Sequence, residues 1–393
     1  MKKIFIATVI LLVPFAIQAQ LKLVTPIDGV YLKDYFIVNY VDLDTNAGVM
    51  YDINCGTKTY DGHAGIDFAL KNFRQMDSGV NVKAAAGGRI VFVSDAAFDR
   101  SKSGNGLGFG NYICIEHPGG YYSYYAHLKK GSAKVQLNDS VTEGQVIGLV
   151  GSSGNSTDPH LHFEIWYQNQ YYFEPSQGTC QTYPTFWKNQ LNYDSVYRFM
   201  DNGLMNFIPS LDTLKERPLS QTIFKEKDSF VTFWTHYAGA KAGDSIRIDW
   251  IDPQGGLYFS FAYKENYTYW YYYWYSYIFK PTKGGQYVAK LYINGQLTNS
   301  TPFFVEYSVN ILETEQAKPA VFCNGHEYMI QTPTEMRQTQ LSLYDSQGRM
   351  VFYDCQTAGN QFRMKADGLA KGMYMLHLRD NNSEYSIPLV VGF

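Results

Sequence analysis

The sequence has few charged side chains and no excess of basic ones. Only 18% of its 393 residues are Asp, Glu, Lys or Arg, against roughly 25% in an average globular protein. The formal net charge is −3, whereas domains that bind nucleic acid carry a basic patch or a basic balance. The composition therefore argues against a nucleic-acid partner. Because hydrophobic residues reach 45%, the chain is also not disordered throughout.

Long apolar runs are missing apart from one at the N-terminus. Residues 4–17 are apolar except for Thr8, follow two lysines and precede Gln-Ala-Gln. A basic start, a short apolar core and a small residue at the exit are typical of a secretory signal peptide, whereas a membrane-spanning helix needs about 20 apolar residues. We therefore predict a signal peptide over residues 1–19, passage through the periplasm to a secreted or cell-surface location, and no stable membrane span.

Cysteine is scarce, and none of the 5 cysteines has the C-x-x-C spacing of a zinc knuckle or redox site. Export makes disulfides possible. Cys114 lies in an apolar run that predicts a buried strand, so we expect it to be the unbridged one. The candidate pairs are Cys323 with Cys355 in the last domain and Cys55 with Cys180, which would join the ends of the domain between them. The sequence alone does not assign the pairing.

Tyrosine and glycine are abundant, with 34 of each. Short alternating runs separated by turn residues predict a mainly β fold, in which an antiparallel β-sheet domain is followed by two β-sandwich modules. A short helix is predicted around Tyr193–Met200. The predicted divisions are a signal peptide over 1–19, an extension over 20–50, the first β domain over 51–175, a connector over 176–220, an accessory β-sandwich over 221–310, a linker over 311–319 and a last β module over 320–393.

An unusual aromatic segment runs from Tyr267 to Tyr277 and contains two tryptophans. Exposed aromatic patches usually mark a contact surface, so the segment could stack against sugar rings or a partner protein. The alternative is a strand buried on one face with tyrosine hydroxyls wetting the other. The sequence leaves both interpretations open.

The chain has 8 histidines, and two of them form the pattern His160-Leu-His162 at the start of an apolar strand. Residues two apart on a strand share a face, so both imidazoles project to the same side while Leu161 points into the core. Two parallel rings on a rigid strand can meet one metal ion, or one metal ion and its substrate.

A second group of candidate ligands lies upstream, where His63 and Asp67 are four residues apart. The small residues Ala64 and Gly65 between them let the chain fold back so that the two side chains can converge. Two histidines and one carboxylate with an open fourth position match a catalytic zinc site. His127, at the end of another strand, is a further candidate, while no H-E-x-x-H motif is present.

Six motifs in the first β domain, taken together, resemble the lysostaphin-type, LytM-like zinc metallopeptidases. The motifs are His63–Asp67, Val82–Val91, Gly110–His117, Tyr125–Leu128, Val141–Gly148 and Gly151–Glu164. The resemblance implies that one zinc ion per chain is bound by His63, Asp67 and His162. It also implies that His127 and His160 are the unliganded catalytic histidines. The Thr157-Asp-Pro159 segment departs from the Asp-Gly or Gly-Pro that precedes the histidine pair in the family.

The activity that this resemblance implies is peptide-bond hydrolysis by zinc-activated water. The substrate would be peptidoglycan cross-links or, alternatively, an extracellular Gly-rich protein. A different class of function is a zinc-binding but inactive wall-binding module that recruits or activates another hydrolase. We further expect Glu164 to orient one of the histidines, and Tyr60 or Tyr125 to be placed for bonding an oxyanion.

The last module resembles the C-terminal sorting domains of type IX secretion. The motifs that carry this likeness are Leu343–Val351, Gly368–Leu378 and Ile387–Val391, although Ser383–Ser386 lacks the basic residue that is typical near the terminal strand. The resemblance implies secretion machinery as a partner. The alternative is an accessory β-sandwich that binds the wall or another protein.

Overall fold

The computed structural model describes residues 21–306, 318–323, 327–356 and 358–391. The predicted signal peptide, most of the predicted linker and His326 lie outside the described residues. Within them the chain forms β-strands in five sheets and short helices, which confirms the mainly β prediction. None of the helices in this described part has the length and apolar character that a membrane span requires.

The first β domain is built around one large antiparallel sheet. Its strand order is β1-β2-β9-β6-β5-β4-β7 with β10 beside β9, while β3 and β8 form a separate ribbon. The elements are β1 (Phe36–Asn39), β2 (Ile66–Ala69), α1 (Phe73–Asp77), β3 (Asn81–Lys83), β4 (Gly88–Ser94), β5 (Tyr112–His117), β6 (Tyr121–Ala126), β7 (Ser140–Val141), β8 (Val146–Leu149), β9 (His160–Tyr167) and β10 (Tyr171–Phe173).

Alternation along β9 decides which face of this sheet is apolar. Leu161, Phe163 and Ile165 are buried in the core of the domain, so their neighbours His160 and His162 project from the opposite face. β1, which lies in the predicted extension, pairs with β2 at the edge of the same sheet. The extension therefore contributes directly to the sheet that carries the histidines.

The described residues that follow the first β domain form three sheets. Their strand orders are β11-β13-β16-β19-β20-β23, β12-β18-β17-β14-β15 and β22-β21-β24-β25. The elements are β11 (Arg198–Met205), α2 (Leu211–Lys215), β12 (Ile223–Phe224), β13 (Phe230–Ala238), β14 (Ser245–Ile251), β15 (Leu257–Lys264), β16 (Tyr272–Phe279), β17 (Gly285–Ile293), β18 (Gln296–Val305), β19 (Ala320–Cys323), β20 (Glu327–Met336), β21 (Thr339–Asp345), β22 (Met350–Gln356), β23 (Gly359–Lys365), β24 (Gly372–Arg379) and β25 (Glu384–Val391).

The six-stranded sheet is the middle layer of three. On β16, Trp274 and Ile278 pack toward the five-stranded sheet, while Tyr275 and Tyr277 pack toward the four-stranded sheet. The two predicted β-sandwiches therefore share this sheet. Burial on both sides explains the aromatic residues on both faces of β16. This part of the aromatic segment is therefore a buried strand, but neither face is wet, so the expectation of one solvated face is wrong here. The predicted domain boundaries stay a prediction.

One expectation about local structure is wrong. The helix predicted around Tyr193–Met200 is not formed, because residues from Arg198 onward pair with β13 as strand β11. Asp194 and Arg198 form an ion pair with helix-like spacing, but the residues between them are not helical.

One of the two candidate disulfides is formed and the other is not. Cys55 and Cys180 are joined, and Cys114 is buried and unbridged as expected. Cys323 and Cys355 are not joined by a disulfide, so that candidate pair is wrong. Cys323 is buried in β19 of the middle sheet, whereas Cys355 is exposed on β22 of the four-stranded sheet.

Candidate metal centre and cleft

His63, Asp67 and His162 converge on one point of the polar sheet face, and we call these three residues the ligand cluster. The pairing of β2 with β9 sets Asp67 directly opposite His162. His162 Nδ1 lies 2.8 Å and His63 Nε2 lies 3.2 Å from Asp67 Oδ1, and the two ring nitrogens are 3.2 Å apart. All three side chains are buried.

The outward-facing atoms of the ligand cluster already have partners. His63 Nδ1 donates to the Tyr40 carbonyl at 2.7 Å, His162 Nε2 donates to Glu164 Oε1 at 2.8 Å, and Asn39 Nδ2 donates to Asp67 Oδ2 at 2.8 Å. The second ring nitrogens, His63 Nε2 and His162 Nδ1, face the centre of the ligand cluster. In a neutral ring with these outer bonds, each would present the lone pair that a metal ion needs.

This arrangement fits a divalent cation. At metal–ligand distances of about 2.0–2.1 Å, the ligand atoms of a tetrahedral zinc site lie about 3.3 Å apart, close to the spacing of the ligand cluster. Burial alone would raise the pKa of the Asp67 carboxyl, but His63 and His160 beside it and the bond from His162 hold that pKa well below its usual range. Asp67 is therefore an anion beside the imidazole rings of His63 and His162. The outer bonds of His162 and Asp67 are of the kind that orient metal ligands.

Gly65 makes the close approach of β2 to the ligand cluster possible. A Cβ atom at Gly65 would lie 2.8 Å from His162 Nε2 and 2.8 Å from the Phe163 carbonyl oxygen. Real Cβ atoms do not come so near, so a larger residue would push the His162 ring out of place. The small residue between His63 and Asp67 thus makes room for the third ligand, in addition to letting the chain fold back.

His127 and His160 lie beside the ligand cluster, with their ring centroids 4.7 Å apart. His127 Nδ1 donates to the Ser153 carbonyl at 2.7 Å and His160 Nδ1 donates to the Asp158 carbonyl at 2.8 Å. In both rings Nε2 is the nitrogen that remains to accept a proton. Burial, followed by the positive charge of neighbouring histidines, lowers the pKa of His127 well below its usual value, so this ring is neutral at neutral pH.

The backbone of His127 is held in an unusual conformation. Its φ is 60°, in the left-handed region that costs a residue other than glycine about 1–3 kcal/mol. Hydrogen bonds from His127 N to Phe109 O and from Leu128 N to Asn111 O tie this stretch to the neighbouring loop. The surrounding structure thus enforces the direction in which the ring leaves the end of β6.

A lysine from α2 supports the turn that carries His160, residues 156–160. Lys215 is only 4% exposed. Its Nζ donates to the Thr157 carbonyl at 2.7 Å and to the Lys102 carbonyl at 3.2 Å, and it lies 3.0 Å from Asp158 Oδ2. The carbonyl of Asp158 in turn holds His160 Nδ1. Lys215 carried no signal of this role in the sequence, because the contact arises only when α2 packs against the first domain.

A cleft of about 460 Å³ opens over the ligand cluster. Its lining includes Asp67, His127 and His160 together with Tyr60, whose ring centroid lies 4.4 Å from that of His63. The remaining lining residues are Val38, Asn39, Ala69, Gly104, Asn155, Ser156, Thr157, Asp158, Thr268, Tyr269, Trp270 and Tyr271.

The structure places Tyr60 and Glu164 beside the ligand cluster, as expected, but not Tyr125. Tyr60 faces the cleft, as a residue that bonds an oxyanion must. Tyr125 is fully buried on the core side, where its hydroxyl accepts a bond from the Ala85 amide at 2.7 Å and another from Ser123 Oγ at 3.0 Å, so that expectation is wrong for Tyr125. Glu164 lies where it was expected, against His162 Nε2.

The other described histidines do not join the ligand cluster. His117 bonds the Gly87 carbonyl and Ser123 Oγ. His236 stacks on Tyr273 with ring centroids 3.9 Å apart, and His377 lies on β24 of the four-stranded sheet. These residues have the structural roles that isolated histidines usually have.

Two parts of the chain match the models of known families. Residues 61–175 match the model of Peptidase family M23, and residues 325–392 match the model of a secretion system C-terminal sorting domain. The ligand cluster, His127 and His160 all fall inside the first match. Both resemblances noted in the sequence are thereby confirmed.

Individual relatives match the same part of the chain. The DD-carboxypeptidase/endopeptidase Mpg of Neisseria meningitidis is 41% identical over 102 residues, which cover 26% of this chain and 19% of the relative. Lysostaphin of Staphylococcus simulans is 40% identical over 102 residues, which cover 26% of this chain and 17% of the relative. The match therefore spans less than a fifth of the length of either relative.

A solved structure gives a further match. The catalytic domain of lysostaphin from Staphylococcus simulans has 30% sequence identity and a TM-score of 0.23, and the alignment covers 35% of this chain and 89% of that chain. By the two family matches, residues 61–175 form a Peptidase family M23 domain, the family of lysostaphin-type metallopeptidases, and residues 325–392 form a secretion system C-terminal sorting domain.

Proposed function

We propose that this chain is a secreted zinc metalloendopeptidase that hydrolyses peptide bonds, with peptidoglycan cross-links as its substrate. The observation that carries the proposal is the ligand cluster, in which three lone-pair donors face one another while their outer atoms are bonded to Tyr40, Asn39 and Glu164. Two nitrogen donors and one carboxylate are the ligand set of catalytic zinc. His127 and His160 beside the ligand cluster supply the groups that move protons.

The roles of the residues follow from their bonds. A zinc ion held by His63, Asp67 and His162 would lower the pKa of a bound water molecule to about 7. His127 is neutral and keeps Nε2 available, because its Nδ1 proton is committed to the Ser153 carbonyl. His160 keeps Nε2 available in the same way. One ring can therefore accept a proton while the other donates to the carbonyl oxygen or leaving amine.

The proposed substrate rests on the similarity to Mpg and lysostaphin and on the shape of the cleft. An extracellular Gly-rich protein is the alternative substrate, since the sorting domain directs export and would bring the enzyme to such a protein. Export would begin at the predicted signal peptide and end with recognition of residues 320–393 by type IX secretion machinery.

Hydrolysis by the purified chain from residue 20 onward tests this proposal. Peptidoglycan should be solubilised, or an oligoglycine peptide cleaved, and a chelator should stop the reaction until zinc is restored. His127→Ala and His160→Ala should each abolish turnover while binding of Co²⁺, followed by its visible spectrum, persists. Full activity in both variants would overturn the assignment of the two histidines. Metal binding without hydrolysis of either substrate would favour the inactive wall-binding module instead.

A further inference from the structure

The cleft over the ligand cluster is not built by the first β domain alone. One side of it is formed by residues 268–271, which precede strand β16 of the middle sheet. Substrate clefts of about 300–1,000 Å³ are usual for small ligands and short chain segments, and the 460 Å³ found here falls in that range. The aromatic segment that could not be interpreted from the sequence thus continues from a buried strand into the wall of the cleft.

Hydrogen bonds fix residues 268–271, which we call the wall of the cleft, to the first domain. Trp270 Nε1 donates to the Thr57 carbonyl at 2.7 Å, and the Tyr271 hydroxyl donates to the Leu70 carbonyl at 2.9 Å. Lys58 Nζ lies 5.2 Å from the centroid of the Trp270 ring, within the range of a cation–π interaction.

A small apolar cluster completes the attachment. Trp270 and Tyr271 pack against a cluster in which residues of β1 and β2 meet residues of β11 and β13. The cluster is formed by Phe36, Val38, Ala69, Met200 and Ala238. Because bonds and apolar contacts both hold it, the wall is in place before any substrate binds, and ordering it costs nothing on binding.

The chemistry of the wall indicates what it would contact. Tyr269 and Trp270 are half-buried and line the cleft, and one face of Tyr269 is covered by Tyr272, with ring centroids 4.2 Å apart. Among the described residues that line the cleft there is no lysine or arginine, and the acids are Asp67 and Asp158. A lining of aromatic faces with polar tips, with two acids and without a basic side chain, suits an uncharged segment better than one that bears carboxylates.

We propose that Tyr269 and Trp270 form a substrate subsite opposite His160, which takes an uncharged, extended segment of the polymer next to the bond that is cut. This inference rests on the proposed hydrolase function and adds a specificity determinant that lies outside the Peptidase family M23 match. The subsite makes the accessory sheets part of substrate recognition.

Kinetics with two substrates test the subsite. Tyr269→Ala and Trp270→Phe should each raise KM about tenfold for purified peptidoglycan and for an uncharged oligoglycine peptide, while kcat falls by much less because neither ring contacts the reacting bond. Tyr267→Ala is the matched control, because this tyrosine is 66% exposed and does not line the cleft. Unchanged Co²⁺ binding in every variant would show that the first domain is intact. KM values equal to that of the unmodified chain would overturn the subsite while leaving the hydrolase proposal in place.

A binding measurement keeps the two proposals separate. Chelator-treated protein is sedimented with insoluble peptidoglycan, so that retention is measured without turnover. If the chelator-treated unmodified chain binds peptidoglycan but the zinc-loaded chain does not hydrolyse it, the hydrolase proposal is refuted. In that case weaker retention of Tyr269→Ala still supports the subsite, whereas equal retention refutes it. If the unmodified chain neither binds nor hydrolyses peptidoglycan or oligoglycine, both are wrong.

Discussion

The ligand cluster takes its three ligands from within the Peptidase family M23 match, whereas the cleft beside it takes residues from three separate parts of the chain. Of the residues that line the cleft, Asn39 precedes the match and Trp270 follows it. The three candidate ligands therefore lie in one domain, while their outer bonds to Asn39 and Tyr40, the orientation of His160 and the width of the cleft depend on how the remainder of the chain packs against it. Substitutions in the two regions should separate metal binding from turnover.

The largest effect on metal binding is expected from Gly65→Ala, which places a methyl group against the His162 ring of the ligand cluster. The added methyl group must displace the His162 ring, since its distance to Nε2 would be 2.8 Å. Co²⁺ titration should show loss of the metal site, and hydrolysis should fall below detection. Gly87→Ala is the control, because its Cβ would approach no atom closer than 3.4 Å. Retained metal binding in Gly65→Ala would contradict this account of the site.

Lys215→Met should damage turnover without removing the metal. The variant leaves the Asp158 carboxylate without its cation. Removing one partner of a buried ion pair destabilises a protein by about 3–5 kcal/mol. It also frees the Thr157 carbonyl, and a displacement of about 1 Å at a catalytic group costs about 100-fold in kcat. Urea unfolding, Co²⁺ titration and kcat are the measurements.

The controls for Lys215→Met use a second lysine and a second change. Lys225→Met removes an exposed lysine 3.7 Å from Glu306 and should alter neither stability nor kcat appreciably. Combining Lys215→Met with Asp158→Asn should restore part of the stability, because the uncompensated carboxylate is gone. A Lys215→Met protein with normal kcat would show that the turn of residues 156–160 keeps its conformation without Lys215.

A smaller effect is expected from Glu164→Gln. The amide can still accept the bond from His162 Nε2, but without a negative charge, so the ring becomes a weaker donor to the metal. Loss of such an outer partner typically costs about 10–100-fold in metal affinity, and competition with a chelating dye would measure it. Unchanged affinity and turnover would exclude the orienting role of Glu164.

The smallest effect on the site is expected from removing the Cys55–Cys180 disulfide with serine at both positions. A bridge that closes a loop of this size contributes about 2–5 kcal/mol to stability, so the midpoint of urea unfolding should fall. Metal affinity and kcat at low temperature should stay the same, since neither sulfur contacts the ligand cluster. A large loss of metal affinity would mean that the disulfide also sets the position of His63.

The convergence of His63, Asp67 and His162 could be expected from the sequence, because it depends on strand periodicity and on the short spacing between His63 and Asp67. Period-two alternation in β9 places His160 and His162 on one face, and the short spacing from His63 to Asp67 limits where those side chains can go. Spacing alone did not say which member of the histidine pair would lie against Asp67. The family resemblance suggested His162, and the structure places Nδ1 of that ring 2.8 Å from the carboxylate.

The supporting contacts could not be predicted because they arise only in the folded chain. Tyr40 acts through its backbone carbonyl, which any residue would supply. Lys215 resembles an ordinary lysine at the end of a helix until α2 packs against the first domain. The shared middle sheet was missed for a similar reason, since the pairing of β16 with β19 spans the predicted linker.

Helix α2 has a consequence for how the molecule would respond to mechanical tension. Leu214 is buried in the core between the six- and four-stranded sheets, the core to which Ile387 and Leu389 of the last strand also belong. The next residue, Lys215, holds the turn of His160. A force applied through the last strand would therefore act on the core that anchors α2, and the residue that follows Leu214 is the lysine whose Nζ holds the His160 turn.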